Sequence, residues 1–529
     1  MSADNAKERD GKAESKACSL RRLTDDSVSA EVTTEIEGFR VLGLSSDDIE
    51  FYNGFDAEKR KRLVRKIDVR LIPVLTILYL IAHIDRANIG NAKIEGLVED
   101  LGLTGNQYNI ALTVFFPPYI LFMLPSNILL KRFRRPSVYL GALISIWGTV
   151  MTCTGLVHNF TELVTARFLL GLFETGFFPG AVYICSRWYM PRDLASRVSY
   201  FYCASAFSGA FSGLLAGVIA QLDGRAGYNG WQWIFLVEGV FTVGLGLASI
   251  YLLIDSPSLS HKWLNADEIR FIDLQNFIKQ GGKLQWIQEQ RGQMWRDVKG
   301  IMMNWRVYVH GSFIIVNTSC SYGMKFTLPT IIKTMGYSTM NAQFLSAAPY
   351  VGGAFSALIC GKLSDRFNWR MPFIAIPGAL ILIGFSVLLS LNGGIAHQPG
   401  AVWAAIIIVM IGIYPIQPAT QAWNANNIAP SSRRAVGVAL TNSVGGIGGI
   451  VGSFMYPESQ SPRYQVGFGI SLAVGAYALL TSLLLEWSYV IANAKKARVV
   501  ADGSQGDAEP CDADLLAMGD KSPLFKHVL

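Results

Sequence analysis

The chain has 529 residues, of which 51% are hydrophobic and only 16% are charged, and its formal net charge is +7. A water-soluble chain of this length would divide into several domains with polar surfaces. Here the charged residues lie between apolar runs of about 20 residues, the length that crosses the hydrocarbon core of a bilayer. This composition excludes an ordinary soluble protein and predicts an all-α membrane protein. The basic residues lie in short loops rather than on one face, so no nucleic-acid partner is expected.

The apolar runs fall into two groups of six. They are predicted to form twelve transmembrane helices at 71–91, 108–130, 138–157, 161–186, 198–221, 231–254, 307–332, 341–361, 371–391, 401–423, 435–456 and 466–491. The chain is accordingly divided into a disordered N-terminal tail (1–54), an amphipathic segment with the N-terminal six-helix bundle (55–254), a central loop (255–305), a C-terminal six-helix bundle (306–491) and a C-terminal tail (492–529). Repeated six-helix halves are typical of one large class of transporters.

The distribution of lysine and arginine predicts the orientation of the chain in the membrane. The loops 131–135 and 362–370 are strongly basic, whereas the loop 392–400 has no lysine or arginine. By the positive-inside bias, the basic loops, the central loop and both tails are expected in the cytoplasm. Within the central loop, Asn265 and Glu268 have the spacing of a helix capping box, which predicts a helix there.

Four ionisable residues lie inside predicted spans: Asp85 and Arg86 in the first, and Arg167 and Glu174 in the fourth. At 1.5 Å of rise per residue, Arg86 lies roughly 22 Å from the inner end of its span. Arg167, on a helix that runs in the opposite direction, lies roughly 21 Å from the same face of a 30 Å core. The two arginines are therefore predicted at one level, with Glu174 about two turns deeper than Arg167 on nearly the same helix face.

Charges buried in a bilayer are costly, and they usually mark a functional site. Arginine can hold a carboxylate with two parallel hydrogen bonds and does not lose its proton, so Arg86 and Arg167 are predicted to bind an anionic substrate. Glu174 and Asp85 are predicted to carry the coupling proton, because substrate binding changes the charge around them. The alternative is that the four residues form structural ion pairs that hold helices together.

Other polar residues in the spans are weaker candidates. His83 and Tyr322 are predicted to contact the substrate, although each has packing as an alternative role. Asn424 is predicted to line the cavity, or otherwise to tie helix ends together. By the same count of helical rise, Lys325 lies near the outer end of the seventh span. It could attract anions there, but snorkelling of its side chain to the membrane interface is the simpler interpretation. The seven cysteines show no metal-binding spacing, so neither a metal site nor a cofactor other than the proton is expected.

Several motifs resemble a known family. The stretch GKLSDRFNWRMP (361–372) is similar to the loop signature of the major facilitator superfamily, whereas its first-half counterpart has Lys131 where an acidic residue is usual. This departure resembles the fungal anion:cation symporter family of allantoate, nicotinate and pantothenate permease-like proteins. The same resemblance extends to RKIDVRLIPVL (65–75), HIDRANIGNAKI (83–94), ARFLLGLFETGFFPG (166–180), GWQWIFLVEG (230–239), LPTIIKTMGYS (328–338), WNANNIAP (423–430) and SPRYQVGFG (461–469).

The resemblance implies the major facilitator fold and proton-coupled symport of organic anions. It also implies that Asp365, Arg366 and Arg370 gate the inner side of the protein, by pairing charges between helices when the protein faces outward. The arginines have a purely topological role as their alternative.

The leading hypothesis is a monomeric plasma-membrane importer of a small carboxylate, such as a nicotinate-, allantoate- or vitamin-like acid, working by alternating access. One alternative is a proton antiporter that exports a secondary metabolite. Another is a nutrient sensor that binds without transporting. An enzyme is not expected, because the chain has no HExxH, GxSxG or P-loop motif.

Overall fold

A computed structural model of the chain describes residues 44–130, 132–190, 197–198, 200–279, 298–367, 369–391, 397–428, 431–503 and 525–529. Throughout these residues the regular elements are helices. The predicted disorder of residues 1–43 lies outside the described residues, as do 280–297 of the central loop and 504–524 of the C-terminal tail.

The described residues contain twelve helical spans, numbered here in chain order. Their bounds are Ala57–Ala92, Gln107–Thr113 with Phe116–Leu130, Pro136–Thr154, Phe160–Glu174 with Phe177–Trp188, Ala204–Ile219, Gly230–Leu252, Trp305–Thr334, Thr339–Phe367, Pro372–Ser390, Pro399–Asn426, Ser431–Gly445 with Ile447–Phe454, and Gln465–Gly503. Each coincides with one of the twelve predicted spans, and the architecture of two six-helix halves is confirmed.

Ten helices in the described part of the chain are long and apolar enough to cross a membrane. Of the other two spans, span 2 consists of two pieces, Gln107–Thr113 and Phe116–Leu130. Span 7 has 30 residues but carries polar side chains along one face, among them Asn317, Thr318 and Lys325. Polar residues within a span are expected where it faces a cavity rather than lipid.

Two helices extend beyond the predicted spans. The helix that begins at Ala57 includes the amphipathic segment and continues without a break to Ala92. Span 12 runs on to Gly503, beyond the predicted end at residue 491. Both extensions, 57–70 and 492–502, are rich in alanine, lysine and arginine and contain no glycine or proline, so the backbone hydrogen bonds propagate past the apolar run.

The end of the predicted disordered tail is also different. The helix Ser46–Asn53 is capped at its N-terminus by Ser45, whose hydroxyl accepts the Asp48 backbone N–H at 3.1 Å. Together with the central-loop helix Ala266–Lys279 it belongs to one compact unit, formed from the described parts of Met1–Lys66 and Ser256–Gln293. Arg270 lies 2.7 Å from Asp48 within that unit. The tail is ordered here because it has a partner helix to pack on.

The central-loop helix confirms the predicted helical segment. The Glu268 carboxylate accepts the Asn265 backbone N–H at 3.0 Å, which is one of the two bonds of a capping box.

The two halves of the bundle approach closely where glycines line up. Gly209, Gly213 and Gly217 form a stripe on span 5 that packs against span 8. A Cβ atom at Gly213 would lie 2.7 Å from the Gln343 carbonyl oxygen. Within the second half, a Cβ atom at Gly448 of span 11 would likewise lie 2.3 Å from the Ile315 carbonyl oxygen of span 7. Small residues at these positions therefore let the helix backbones touch.

We call the end of the bundle that carries the loops 131–135 and 362–370 the basic end. At the opposite end, span 1 finishes in a π-helical turn, Lys93–Leu97, in which Gly96 has φ +99°. Three consecutive residues of this turn contact the second half. Lys93 Nζ lies 3.0 Å from Glu458, Lys333 Nζ donates to the Ile94 carbonyl at 3.0 Å, and Gln343 Nε2 donates to Glu95 at 2.6 Å. These contacts close the halves together at the opposite end.

Candidate functional site

A cavity of about 120 Å³ lies between the two halves of the bundle. Three basic side chains, His83, Arg86 and Lys325, reach it. Much of its remaining wall is aromatic, and six of these residues are Tyr79, Tyr119, Phe178, Tyr202, Tyr322 and Tyr414. The site thus combines positive charge with flat apolar surfaces, which suits a small anion that carries a planar group.

Arg86 links the two halves at the centre of the site. Its Nε donates to Glu174 Oε1 at 2.5 Å, and its Nη1 donates to the Tyr322 hydroxyl at 2.8 Å. The guanidinium also lies over the Tyr119 ring, 4.5 Å from its centroid. Arg86 and Glu174 are 8% and 1% exposed, so this is a buried ion pair. Because Glu174 Oε2 has no hydrogen-bond partner among the described residues, the carboxylate is only half satisfied.

Lys325 belongs to the cavity rather than to the interface, which corrects the sequence interpretation. It is 5% exposed, and its Nζ donates to Ser208 Oγ at 3.0 Å. Snorkelling does not occur because this face of span 7 points toward the middle of the bundle. The sequence does hold a signal for this orientation, since Thr318, Ser321, Tyr322 and Lys325 recur at three- and four-residue spacing and all line the cavity.

Arg167 lies outside the lining of the larger cavity. It is 3% exposed, and its Nε and Nη2 have no hydrogen-bond partner in the described part of the chain. It lines a smaller void together with Arg86, Phe115 and Tyr322, and it is not among the residues lining the larger cavity. Arg86 is thus shared by the two spaces, whereas Arg167 faces only the smaller one.

Asp85 points away from its sequence neighbour Arg86. Its carboxylate accepts the Trp147 indole N–H and the Thr242 hydroxyl, each at 3.1 Å, and it is fully buried. Successive residues of a helix point about 100° apart, so adjacency in sequence places the two charges on different faces. Asp85 therefore lies inside the first half, between spans 1, 3 and 6, and is not among the residues that line the cavity.

His83 and Asn424 are placed differently from each other. His83 faces the cavity, its ring lies edge-on to Tyr79 at 4.6 Å, and its buried Nε2 has no partner among the described residues. Asn424 is buried, and its Nδ2 donates to Thr441 Oγ1 at 3.3 Å. That bond joins spans 10 and 11, and Asn424 is not one of the cavity-lining residues.

The residues predicted to gate the inner side lie at the basic end. Arg370 is 9% exposed, and its Nη1 donates to Ser364 Oγ at 2.8 Å. Arg366 is exposed in the last turn of span 8. Asp365 lies in the same turn, and its side chain falls outside the described part of the structure.

Known proteins provide an independent comparison. Residues 75–453 match the sequence profile of the Major Facilitator Superfamily. The chain is 32% identical over 519 residues to the MFS-type transporter cnsO of Penicillium expansum, covering 96% of this chain and 98% of that protein. It is 29% identical over 519 residues to the high-affinity nicotinic acid transporter of Saccharomyces cerevisiae, covering 96% and 92%.

Solved structures agree on the fold. The xylose transporter XylE from E. coli, in a partially occluded inward-open conformation, superposes with a TM-score of 0.59 at 16% identity. The superposition covers 80% of this chain and 99% of that one.

Proposed function

The chain belongs to the Major Facilitator Superfamily, and we propose that it is a proton-coupled symporter for a small organic carboxylate. The observation that carries this proposal is the cavity between the halves, to which Arg86 of the first half and Lys325 of the second half both contribute a cation. An anion held by both cations would bridge the two halves. Such a midplane site between repeated halves is what alternating access requires.

The charge balance favours a monoanion. Arg86 is already paired with Glu174, whereas the described bond of Lys325 is to a neutral serine hydroxyl. Arg86 and Lys325 together carry one positive charge more than Glu174 neutralises, and a single substrate carboxylate would balance that excess. Several aromatic side chains around the cations supply surfaces on which a flat ring can stack.

Glu174 is the group best placed to couple the proton. Substrate carboxylate and Glu174 compete for the same guanidinium, so both cannot pair fully with Arg86 while both are charged. A proton on Glu174 removes its charge and frees Arg86 to bind the substrate. When the substrate leaves, Arg86 again favours the charged carboxylate, and the proton is released on the same side. Substrate and proton therefore move in the same direction.

The nature of the substrate follows from the same site together with a relative. A small carboxylic acid with a planar ring satisfies the two cations and the aromatic walls, and the relative from Saccharomyces cerevisiae is named as a transporter of nicotinic acid. Within this proposal the basic end faces the cytoplasm, both tails are cytoplasmic, and the protein acts as a monomer in the plasma membrane. Asp365, Arg366 and Arg370 would close the basic end when the cavity faces outward.

The test is uptake of labelled nicotinate, pantothenate and allantoate by cells that lack their own permeases, at acidic and at neutral external pH. We expect at least one anion to accumulate faster at acidic pH, and an uncoupler to abolish that accumulation. Glu174→Gln should keep binding the anion but lose the dependence on the proton gradient. Glu162→Gln is the matched control, because it makes the same change at an exposed position of the same span.

The alternatives give different results. Faster efflux driven by an inward proton gradient would indicate an antiporter that exports its substrate. Binding of an anion without flux under any gradient would indicate a sensor. Normal accumulation by Glu174→Gln would contradict the coupling role proposed for Glu174.

A further inference from the structure

A short segment near the end of the sequence is bound at the basic end of the second half. Residues 525–529 lie against span 10, span 12 and the link between spans 8 and 9. His527 of this segment is only 5% exposed, although it follows a long polar stretch of sequence. A buried histidine at such a position calls for a built binding site, since a loosely placed segment would leave the side chain in water.

Two asparagines form that site. Asn427, at the end of span 10, donates to the Val528 carbonyl at 3.0 Å and accepts the Val528 N–H at 2.9 Å. Asn493 of span 12 does the same with His527, at 2.9 Å for the carbonyl and 2.8 Å for the N–H. An amide side chain offers one donor and one acceptor side by side, so each asparagine pairs with a residue's backbone as a neighbouring β-strand would.

Further bonds also reach the backbone of the segment. The Trp423 indole donates to the Val528 carbonyl at 2.9 Å, and Lys496 Nζ donates to the Phe525 carbonyl at 2.9 Å. The Arg370 backbone N–H donates to the Leu529 carbonyl at 2.5 Å. The site therefore recognises an extended peptide mainly through its main chain, as in strand addition.

The segment holds together parts of the second half that could otherwise move separately. Span 10 contains Pro415 and Pro418, each of which removes a helical hydrogen bond and permits bending. Trp423 and Asn427 lie beyond these prolines, toward the basic end. The peptide connects this last part of span 10 to span 12 and to Arg370, one of the residues predicted to gate that end.

We propose that the basic end of the second half is a peptide-binding site, and that residues 525–529 are its displaceable intramolecular ligand. When bound, they restrain the end of span 10 beyond Pro418 and so oppose its bending. Release of the segment would leave that end free to bend. The chain thus contains an autoinhibitory contact at the gate of the basic end.

The environment of His527 makes this contact sensitive to acid. Burial, followed by the charges of Lys496 and Arg306, lowers the pKa of His527 to about 3. Its ring also faces Tyr489 of span 12, with centroids 5.1 Å apart, while Arg370 contacts the adjoining Leu529. A released histidine has an ordinary pKa of about 6.5, so protonation favours the released state as the pH falls below that value. Between about pH 7.5 and about pH 5.5 the release constant should rise roughly tenfold.

The test uses hydrogen exchange on the purified full-length protein. Val528→Pro removes the N–H that Asn427 accepts, and Val528→Ala is the matched control because it keeps that N–H. We expect the amides of His527 and of residues 419–427 to exchange at least about tenfold faster in Val528→Pro than in the natural chain or in Val528→Ala. A synthetic FKHVL peptide added to Val528→Pro should restore the protection, and acidification of the natural chain should reduce it.

Each readout can overturn the proposal. Exchange of the His527 amide in the natural chain at the rate of an unstructured peptide would show that the segment is not bound. Loss of protection at His527 without any change in residues 419–427 would show that the bound segment does not restrain span 10. These measurements need no substrate, so their failure is distinguishable from failure of the transport proposal.

Discussion

Replacement of Lys325 by alanine tests the substrate site most directly. Lys325 is 5% exposed and its described hydrogen bond is to Ser208, so its charge is available to a bound anion. At a separation of about 4 Å and an effective dielectric constant of about 20, the attraction to one carboxylate is about 4 kcal/mol. Desolvation of the two charges offsets part of it, and charge-assisted hydrogen bonds usually contribute about 1.5–3 kcal/mol. We therefore expect Lys325→Ala to weaken anion binding by roughly 10- to 150-fold.

The assay is equilibrium binding of the labelled anion to purified protein, with the melting temperature measured in parallel. Lys325→Arg keeps the charge and should lose less affinity than Lys325→Ala. Lys262→Ala removes an equal charge from an exposed position outside the bundle and should leave the affinity unchanged. If Lys325→Ala melts normally and binds the anion within about twofold of the natural affinity, Lys325 does not pair with the substrate, and the two-cation site is refuted.

Three further variants test other parts of the bundle. Arg86→Ala should abolish anion binding. It should also destabilise the protein by about 3–5 kcal/mol, because it leaves Glu174 as a buried unpaired charge. In thermal unfolding, the Arg86→Ala, Glu174→Ala double variant should regain much of that stability. Trp147→Phe removes the indole N–H that Asp85 accepts, and it should cost about 1–3 kcal/mol in unfolding experiments while anion affinity stays the same; reduced affinity would indicate that Asp85 acts on the cavity. Gly213→Ala would place a Cβ atom 2.7 Å from the Gln343 carbonyl oxygen, whereas a Cβ atom at Gly244 would have no such neighbour within 4 Å. The transport rate should therefore fall in Gly213→Ala but not in the control Gly244→Ala. Equal transport rates would show that spans 5 and 8 need not touch.

The sequence predicts the order and length of the spans better than it predicts the contacts between them. Apolar length alone places each of the twelve spans. Helical rise is less exact, because it put Arg86 level with Arg167 and Glu174 about two turns deeper, whereas Arg86 bonds Glu174. Rotation about the helix axis is harder still to predict, because it depends on which neighbours each face packs against. Asp85 was expected beside the anion site and instead bonds Trp147 of span 3.

Lys325 shows the converse case. Its depth near the end of span 7 suggested the interface, and only its periodic relation to Thr318 and Tyr322 indicates the cavity. The bound segment 525–529 could not be anticipated from sequence at all. Its site uses the backbone of the segment, and backbone hydrogen bonding leaves little trace in the choice of side chains.

The π-helical turn at the end of span 1 has a consequence for how the opposite end opens. In a regular helix, consecutive residues point in different directions, and neighbouring residues seldom reach three separate elements of a partner domain. Here Lys93, Ile94 and Glu95 lie in one turn, and each of them contacts a different element of the second half. At about 1 kcal/mol apiece, none of the contacts alone would keep the end shut, but one displacement of span 1 breaks them together. Movement of span 1 therefore couples the three contacts, so that the opposite end loses its closing bonds in one step.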